Sequence, residues 1–466
     1  MITLGRIQDA TSTAAVTAFV EEQVLAGSEW QLVGARRRWV RLDPPYAYWA
    51  LYAIRLGRGE QNQPDLHEQG AEPGRSLDPG WSEERELRLV ARGVFDEGYW
   101  PDYRESLVEK FGGRPCDPLR RRGYPVIFDE TQHVFWFYPV DPLLRTLPEA
   151  SDAARLRRLF RNVKQEVLDR PARVSDVHVD LVRYLPENNA ILRYELVTQP
   201  ASAGKTVYGK VHRSNRVAET NRVMEHLWRL SRRSEGMLNI PKPLGFYPEL
   251  GLFLQDAVPG RALGGDRTDP SFMKGAIAAA DAIAIIHASD VPTENEITIE
   301  QSVNRLDELM DQFALVHPQA HFLLRELAVH VRSRLSKTRP EEHVPSHGDY
   351  KHDQLLHEDG HFTLIDFDFF GRAETSHDLA EFCSHLTPAK VPSWEYSIAS
   401  EEARKAFLDR YRELRPNATL QRFPIYEALD LASRAMVLMW SQSRDWRKSA
   451  EFLLVLAMER LNSRLP

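Results

Sequence analysis

Residues suited to handling phosphate and protons gather late in the chain. Ser346-His347-Gly348-Asp349-Tyr350-Lys351-His352-Asp353-Gln354 precedes Phe362-Thr363-Leu364-Ile365-Asp366-Phe367-Asp368. His347-Gly348-Asp349 reads as a tight turn in which Gly348 lets the backbone bend and Asp349 faces a cleft. Gln354 offers a neutral carbonyl oxygen five residues on, and Asp366 stands twelve beyond it, after a run that reads as a buried strand. Phosphoryl transfer needs this set: a carboxylate to orient a hydroxyl and accept its proton, and oxygen ligands for Mg²⁺ bridging the phosphates. Taken singly, His-Gly-Asp is a common turn and Ile-Asp-Phe-Asp an ordinary strand end. Together, at this spacing, they favour chemistry.

Three textures of sequence must position these groups. From Arg261 onward nearly everything carries a 3.6-residue apolar period, over 272–287, 299–313, 320–335, 378–385, 401–414, 425–441 and 448–461. The exception is Val344 to Phe370, a strand-like pair of runs among helices. Before it, about residues 175–257, strands are expected at 177–184, 190–197 and 206–212, a helix at 218–232, and strands at 244–247 and 252–255. That order makes a compact α+β unit. The first 150 or so residues are rich in β-formers, at 30–33, 39–42, 46–56, 86–95 and 134–138, with a polar Gly57 to Ser82 stretch expected to be a flexible loop. Ser151 to Asp169 is a charged amphipathic stretch. A weak echo links Val40-Arg41-Leu42-Asp43-Pro44 to Val182-Arg183-Tyr184-Leu185-Pro186; duplication and mere similarity of two hairpins both explain it.

Composition narrows the function. The 466 residues are 42% apolar and 10% aromatic, too many aromatics for a disordered chain. A net charge of −7 argues against general nucleic-acid binding, while leaving room for a local basic pocket. Two cysteines exclude a disulfide scaffold and fit a reducing cytoplasm. No secretory signal is visible, and no apolar run approaches the roughly 18 residues of a membrane span. His352, His357, His361 and His377 make no recognisable zinc-ligand pattern.

On the His-Gly-Asp and Ile-Asp-Phe segments the chain resembles the aminoglycoside phosphotransferase family, the small-molecule branch of the protein-kinase-like fold. Its pattern is His-Gly-Asp, four residues, Asn, and then Ile-Asp-Phe or Ile-Asp-Trp. The resemblance implies Asp349 as catalytic base, His347 shaping the loop from behind, and Asp366 as principal metal ligand. Gln354 replaces the family's Asn; one methylene moves the carbonyl about 1.5 Å outward, which implies altered metal affinity rather than lost activity. Asp353 or Asp368 would be able to lend a further carboxylate.

The same resemblance requires a cation on the third strand of the small lobe, and Val207-Tyr208-Gly209-Lys210-Val211 supplies Lys210, with Lys205 its rival in the preceding turn. Glu219, on the helix face of Val223, Leu227 and Leu230, is chosen as its carboxylate partner ahead of Glu225. The phosphate-covering loop corresponds to Pro186-Glu187-Asn188-Asn189, without Gly-x-Gly. Phosphates would there rest on backbone N–H groups and on the Asn188 or Asn189 side chain. Leu254-Gln255-Asp256-Ala257-Val258-Pro259-Gly260 resembles the hinge, where adenine would meet backbone near Asp256 and Ala257. Asp378, at a helix start, takes a structural role, satisfying free N–H groups.

The implied fold is α+β and bilobal, with a β-rich small lobe over about 151–257 and a helical large lobe over 258–466. The resemblance spans 175–466, and residues 1–150 would form a β-rich N-terminal cap like that of larger sugar kinases resembling maltokinase. Trp394, Tyr396, Trp440, Arg444 and Trp446 are candidates to line the acceptor site, or else core. The implied activity is an ATP- and Mg²⁺-dependent kinase acting on a hydroxyl of an aminoglycoside, sugar or other polyhydroxy compound. Its partners would be the nucleotide and a small acceptor, with no nucleic acid or membrane. The alternatives are a kinase for a peptide Ser or Thr, and a catalytically silent nucleotide-binding scaffold.

Overall fold

The computed structural model describes residues 12–43, 47–58, 83–94, 96–111, 125–160, 168, 172–199, 201, 204–213, 216–264, 266–388, 394–441 and 445–463. The chain divides into two compact units, Met1–Pro148 with Leu185–Asn188, and Glu149–Tyr184 with Asn189–Pro466.

The first unit is built on an antiparallel sheet of order β1-β2-β3-β5-β4. The strands are β1 (Trp30–Asp43), β2 (Ala47–Arg58), β3 (Glu83–Val94), β4 (Val126–Phe128) and β5 (His133–Phe137). The two runs expected at 30–33 and 39–42 are one strand. Register shifts at Leu32/Gly34 and Arg37/Trp39 let β1 bend while it stays paired along β2. β2 is buried on both faces, through Tyr48, Tyr52, Ile54 and Leu56 on one and Ala47, Leu51 and Ala53 on the other, which explains its continuous rather than alternating apolar pattern. The helices α1 (Thr13–Phe19) and α2 (Tyr99–Phe111) flank the strands in sequence, and Phe19 of α1 stacks on Phe135 of β5. Most of the stretch expected to be a loop, 59–82, lies outside the described residues.

The second unit opens with α3 (Leu147–Ala150) and α4 (Ala153–Phe160), then an antiparallel sheet of order β6-β7-β8-β10-β9. Its members are β6 (Arg173–Leu185), β7 (Asn189–Gln199), β8 (Lys205–His212), β9 (Pro243–Tyr247) and β10 (Leu252–Asp256), with α5 (Arg216–Ser231) between β8 and β9. Ala190, Leu192, Tyr194 and Leu196 alternate into the core along β7, as a half-buried strand should. Gly209 leaves room for the Tyr194 ring and Leu252; a Cβ there would collide with both.

Beyond β10 the chain turns helical. The elements are β11 (Arg261–Ala262), α6 (Pro270–His287), α7 (Ile299–Val316), α8 (Pro318–Leu335), α9 (Ser376–Leu386), α10 (Trp394–Leu414), α11 (Phe423–Ser441) and α12 (Trp446–Asn462). Local chemistry sets the helix starts: Asp269 accepts from Ser271 N–H with Pro270 at the first position of α6, and Thr298 with Gln301 forms a capping box on α7. Phe382 stacks on Phe407 at 4.3 Å, both fully buried, and either one replaced by Ala would cost about 3–5 kcal/mol. The strand-like island resolves into β12 (His343–Ser346), β13 (Leu355–Glu358) and β14 (His361–Leu364). β12 pairs with β15 (Gly371–Glu374), and β13 pairs with both β11 and β14. Three strands, a helix, two strands and then helices around two short β-ladders is the protein-kinase-like arrangement. No helix among the described residues is long and apolar enough to cross a membrane.

Candidate active site

The loop after β12 is held from several sides. Gly348 has φ +81°, and a Cβ there would strike the Phe369 carbonyl, so only glycine fits. Asp378 accepts the backbone N–H of His347 at 2.7 Å and of Gly348 at 3.0 Å. The N–H groups it satisfies are therefore not those of its own helix start, as expected, but those of the loop after β12. Burial opposes its charge, yet His287 and His377 hold its carboxyl well below the usual range. His287 is fixed in turn by the Tyr411 hydroxyl at 2.8 Å. Tyr350 N–H donates to Glu381 at 2.7 Å. His347 donates through Nε2 to the Ile365 carbonyl at 3.1 Å and packs on Phe367, so it ties this loop to the segment carrying Asp366.

Asp349 is thereby placed between two neighbours of its own loop. Lys351 Nζ lies 2.7 Å from Oδ1, and Gln354 Nε2 donates to Oδ2 at 2.7 Å. Burial works against the Lys351 charge, but the pairing with Asp349 outweighs it and holds its pKa up. Gln354 is buried, and with its amide nitrogen spent on Asp349 its Oε1 has no hydrogen-bond partner. A buried carbonyl oxygen of that kind fits a cation ligand.

Lys210 stands on the central strand of the β6-β7-β8-β10-β9 sheet, opposite Ile191 of β7 and Phe253 of β10. Its ammonium is 2.7 Å from Asp366 and also pairs with Asp368. Burial alone would discharge it; the two carboxylates keep it protonated. Lys210 likewise outweighs burial at Asp366, whose carboxyl lies low, whereas burial and the neighbouring Asp366 push Asp368 up. Asp366 has φ +71°, a conformation costing a non-glycine residue about 1–3 kcal/mol. Ile365 N–H donates to the Gln354 carbonyl, which couples Asp366 to the Asp349 loop.

The expected Lys210–Glu219 pair is not formed among the described residues. Two carboxylates already surround the ammonium, while Glu219 accepts from Thr293 Oγ1 at 3.5 Å and lines a small cavity with Asp368. Glu225, the second choice, accepts from Asn221 on its own helix. Lys205 pairs with Asp256 at 2.5 Å, which gives the rival lysine a place at the hinge. Asp256 N–H donates to the Lys242 carbonyl, so adenine recognition there would fall to the Asp256 carbonyl and to backbone at Ala257 and beyond. In the turn before β7, Glu187 N–H donates to Asp141 and Asn188 N–H to the Leu185 carbonyl. Those two N–H groups are therefore not available to phosphates as expected.

Beside Asp349 lies a cleft of about 490 Å³, lined by Asp349, Glu381, Asp430, His377, Arg216 and Arg305 among others. Burial, with Asp349 and Asp430 close by, raises the Glu381 carboxyl well above its ordinary value. The aromatic candidates lie elsewhere: Trp446 is buried against Phe313 and His317, and Trp440 packs on the core and donates to Gln312. Tyr396 neighbours Arg267, while Arg444 and the Trp394 side chain lie outside the described residues. Lys351, Glu381 and Asp430 were not singled out from sequence. Lys351 had a signal, two residues from Asp349; the other two come from helices far along the chain.

Residues 193–420 match the model of the phosphotransferase enzyme family. This stretch of the chain belongs to that family. The matched part of the phosphotransferase contains Lys210, Asp349, Gln354 and Asp366. Among solved structures it is similar to a spectinomycin phosphotransferase, APH(9)-Ia, in complex with ADP and spectinomycin. That pair is 14% identical over 66% of this chain and 98% of the other, with a TM-score of 0.46. A choline/ethanolamine kinase family protein from Mesorhizobium loti is 16% identical over 66% and 95%, with a TM-score of 0.42. Choline kinase from Cryptosporidium parvum Iowa II is 12% identical over 61% and 88%, with a TM-score of 0.44. Overlaps this loose carry no argument about substrate. Among curated proteins none matches the chain.

Proposed function

We propose that this phosphotransferase is an ATP- and Mg²⁺-dependent kinase acting on a hydroxyl of a small polyhydroxy compound such as an aminoglycoside or a sugar. The observation that carries the reading is the split duty of Gln354, whose amide nitrogen orients Asp349 while its buried oxygen stays free. Asp349 opens on a cleft whose size suits a small molecule. It would orient the acceptor hydroxyl and take its proton as the oxygen attacks phosphorus. Lys351 and Gln354 hold the carboxylate in place, and Asp378 fixes the loop beneath it. Lys210 would steady the α- and β-phosphates, with Glu219 near enough to Asp368 to join that charge network. Asp366 and Gln354, with Asp368 beside them, would hold Mg²⁺, and their donor set of hard oxygens fits that ion. When bound, Mg²⁺ neutralises charge on the transferring phosphoryl group. Backbone near Asp256 and Ala257 would receive the adenine.

The first unit is read as the N-terminal cap, residues 151–257 as small lobe and 258–466 as large lobe, in a cytoplasmic enzyme. The silent-scaffold alternative draws on the spent N–H groups of the 185–188 turn. One experiment separates the two: ADP release from MgATP, measured across a panel of sugars, aminocyclitols and peptides. Turnover stimulated by a small polyol and abolished in Asp349→Asn supports the proposal. Absence of any ATP turnover in the native chain would sink it.

A further inference from the structure

The turn between β6 and β7 is anchored unusually firmly for a segment expected to cover phosphates. Glu187 occupies it with φ +59°. Its carboxylate accepts from Trp49 Nε1 at 3.0 Å and Tyr103 hydroxyl at 2.7 Å, and pairs with Arg92. The Arg92 and Glu187 side chains are only 5% and 2% exposed, and the guanidinium lies over the Trp49 and Tyr103 rings. Asp141 holds the Glu187 N–H at 2.8 Å and also caps Leu143 and Leu144. A turn pinned on both backbone and side chain cannot fold its N–H groups over a nucleotide.

The strand leading into it can contribute in another way. Tyr184 is buried, as are Ala190 and Leu192 on β7 and Val207, Gly209 and Val211 on β8, so these mark the core face of the sheet. Side chains alternate along a strand, which puts Arg183 on the opposite face, the face of Lys210. Arg183 is exposed, and no hydrogen bond or ion pair engages its guanidinium among the described residues. Lys210 already serves two carboxylates, so a polyphosphate arriving there calls for a further cation.

We infer that the β6–β7 hairpin meets the nucleotide phosphates through the Arg183 guanidinium instead of turn N–H groups. The inference rests on the nucleotide reading above. It is tested by calorimetric titration of the full chain with ADP and with adenosine, both in Mg²⁺. Losing one charge-assisted contact in Arg183→Gln should weaken ADP binding about tenfold and leave adenosine unchanged. Arg193→Gln, which removes an exposed arginine paired with Asp180 on the same hairpin, should change neither. Native ADP affinity in Arg183→Gln, or equal losses for ADP and adenosine, would overturn the inference. A native chain that binds no ADP would overturn the underlying nucleotide reading with it, and that result is recognisable before any variant is made.

Discussion

Two buried charge clusters in the second unit differ in a way that separates scaffold from site. Arg404 on α10 donates Nε and Nη2 to the two oxygens of Glu427 on α11, each at 2.8 Å. The carboxylate meets Arg404 in a planar fork, with Arg460 a further 3.9 Å neighbour, and the pair stitches two helices together. At the other cluster a single ammonium, Lys210, is shared by Asp366 and Asp368. There the backbone at Asp366 is left-handed, and the Gln354 oxygen nearby has no partner. The first cluster is closed. The second carries more negative oxygen than its own cation satisfies, together with strain and an unpaired acceptor, features that concentrate where a protein binds something.

The contrast breaks most visibly at Asp349, the carboxylate proposed as base. Asp349→Asn is expected to lower turnover by about 10³-fold, on the scale of lost general-base catalysis, with little change in melting temperature. A residual rate near native would remove Asp349 from its assigned role. Arg404→Met tests the closed cluster. It leaves Glu427 buried with only the more distant Arg460, at 3.9 Å, as partner, at a cost of about 3 kcal/mol by denaturant titration, while the folded fraction should keep its affinity for MgADP. Asp368→Asn should act in the opposite direction. It relieves the crowding of two buried carboxylates, so the nucleotide-free protein should gain stability, while MgADP binds more weakly. Destabilisation by Asp368→Asn would mean that this cluster is as closed as the other.

A smaller effect follows from pH. Burial and the neighbouring Arg267 push His352 down to about 3, so it stays neutral in the fold where the unfolded chain, with an ordinary value of about 6.5, takes up a proton. Its stabilising contribution is therefore complete above about pH 6.5 and is lost as pH falls towards 3. His352→Gln keeps an acceptor for Arg267 and removes the titration. Relative to its own stability at pH 8, the variant should lose about 2 kcal/mol less than the native chain at pH 5. Parallel losses in urea titrations at the two pH values would contradict this.

What could be read from sequence divides along lines of chain distance. His347, Asp349 and Gln354 lie within eight residues and Asp366 follows just past the end of β14, so local spacing alone brought them into view. The strand order around Lys210 was legible because β7 and β8 alternate cleanly. The Glu219 pairing was not, because helix periodicity says which face a residue occupies but nothing about carboxylates arriving from a loop 150 residues later. Asp378 was placed at a helix start, but that it brackets the His347 and Gly348 N–H groups depends on how α9 packs under the loop. The bulges that make one strand of 30–43 were hidden because each shift reverses the in-out pattern. The aromatic residues Trp440 and Trp446 look alike in sequence whether they line a cleft or fill a core, and here they pack in the core.

The central claim is that the carboxylate group around Lys210 binds metal-nucleotide while Asp349 serves only the chemical step. Calorimetric titration of MgADP into the native chain, Asp366→Asn and Asp349→Asn tests it directly. The account predicts saturable binding to the native chain, near-native affinity in Asp349→Asn, and at least tenfold weaker binding in Asp366→Asn. Equal binding to all three proteins, or none to the native chain, would contradict it.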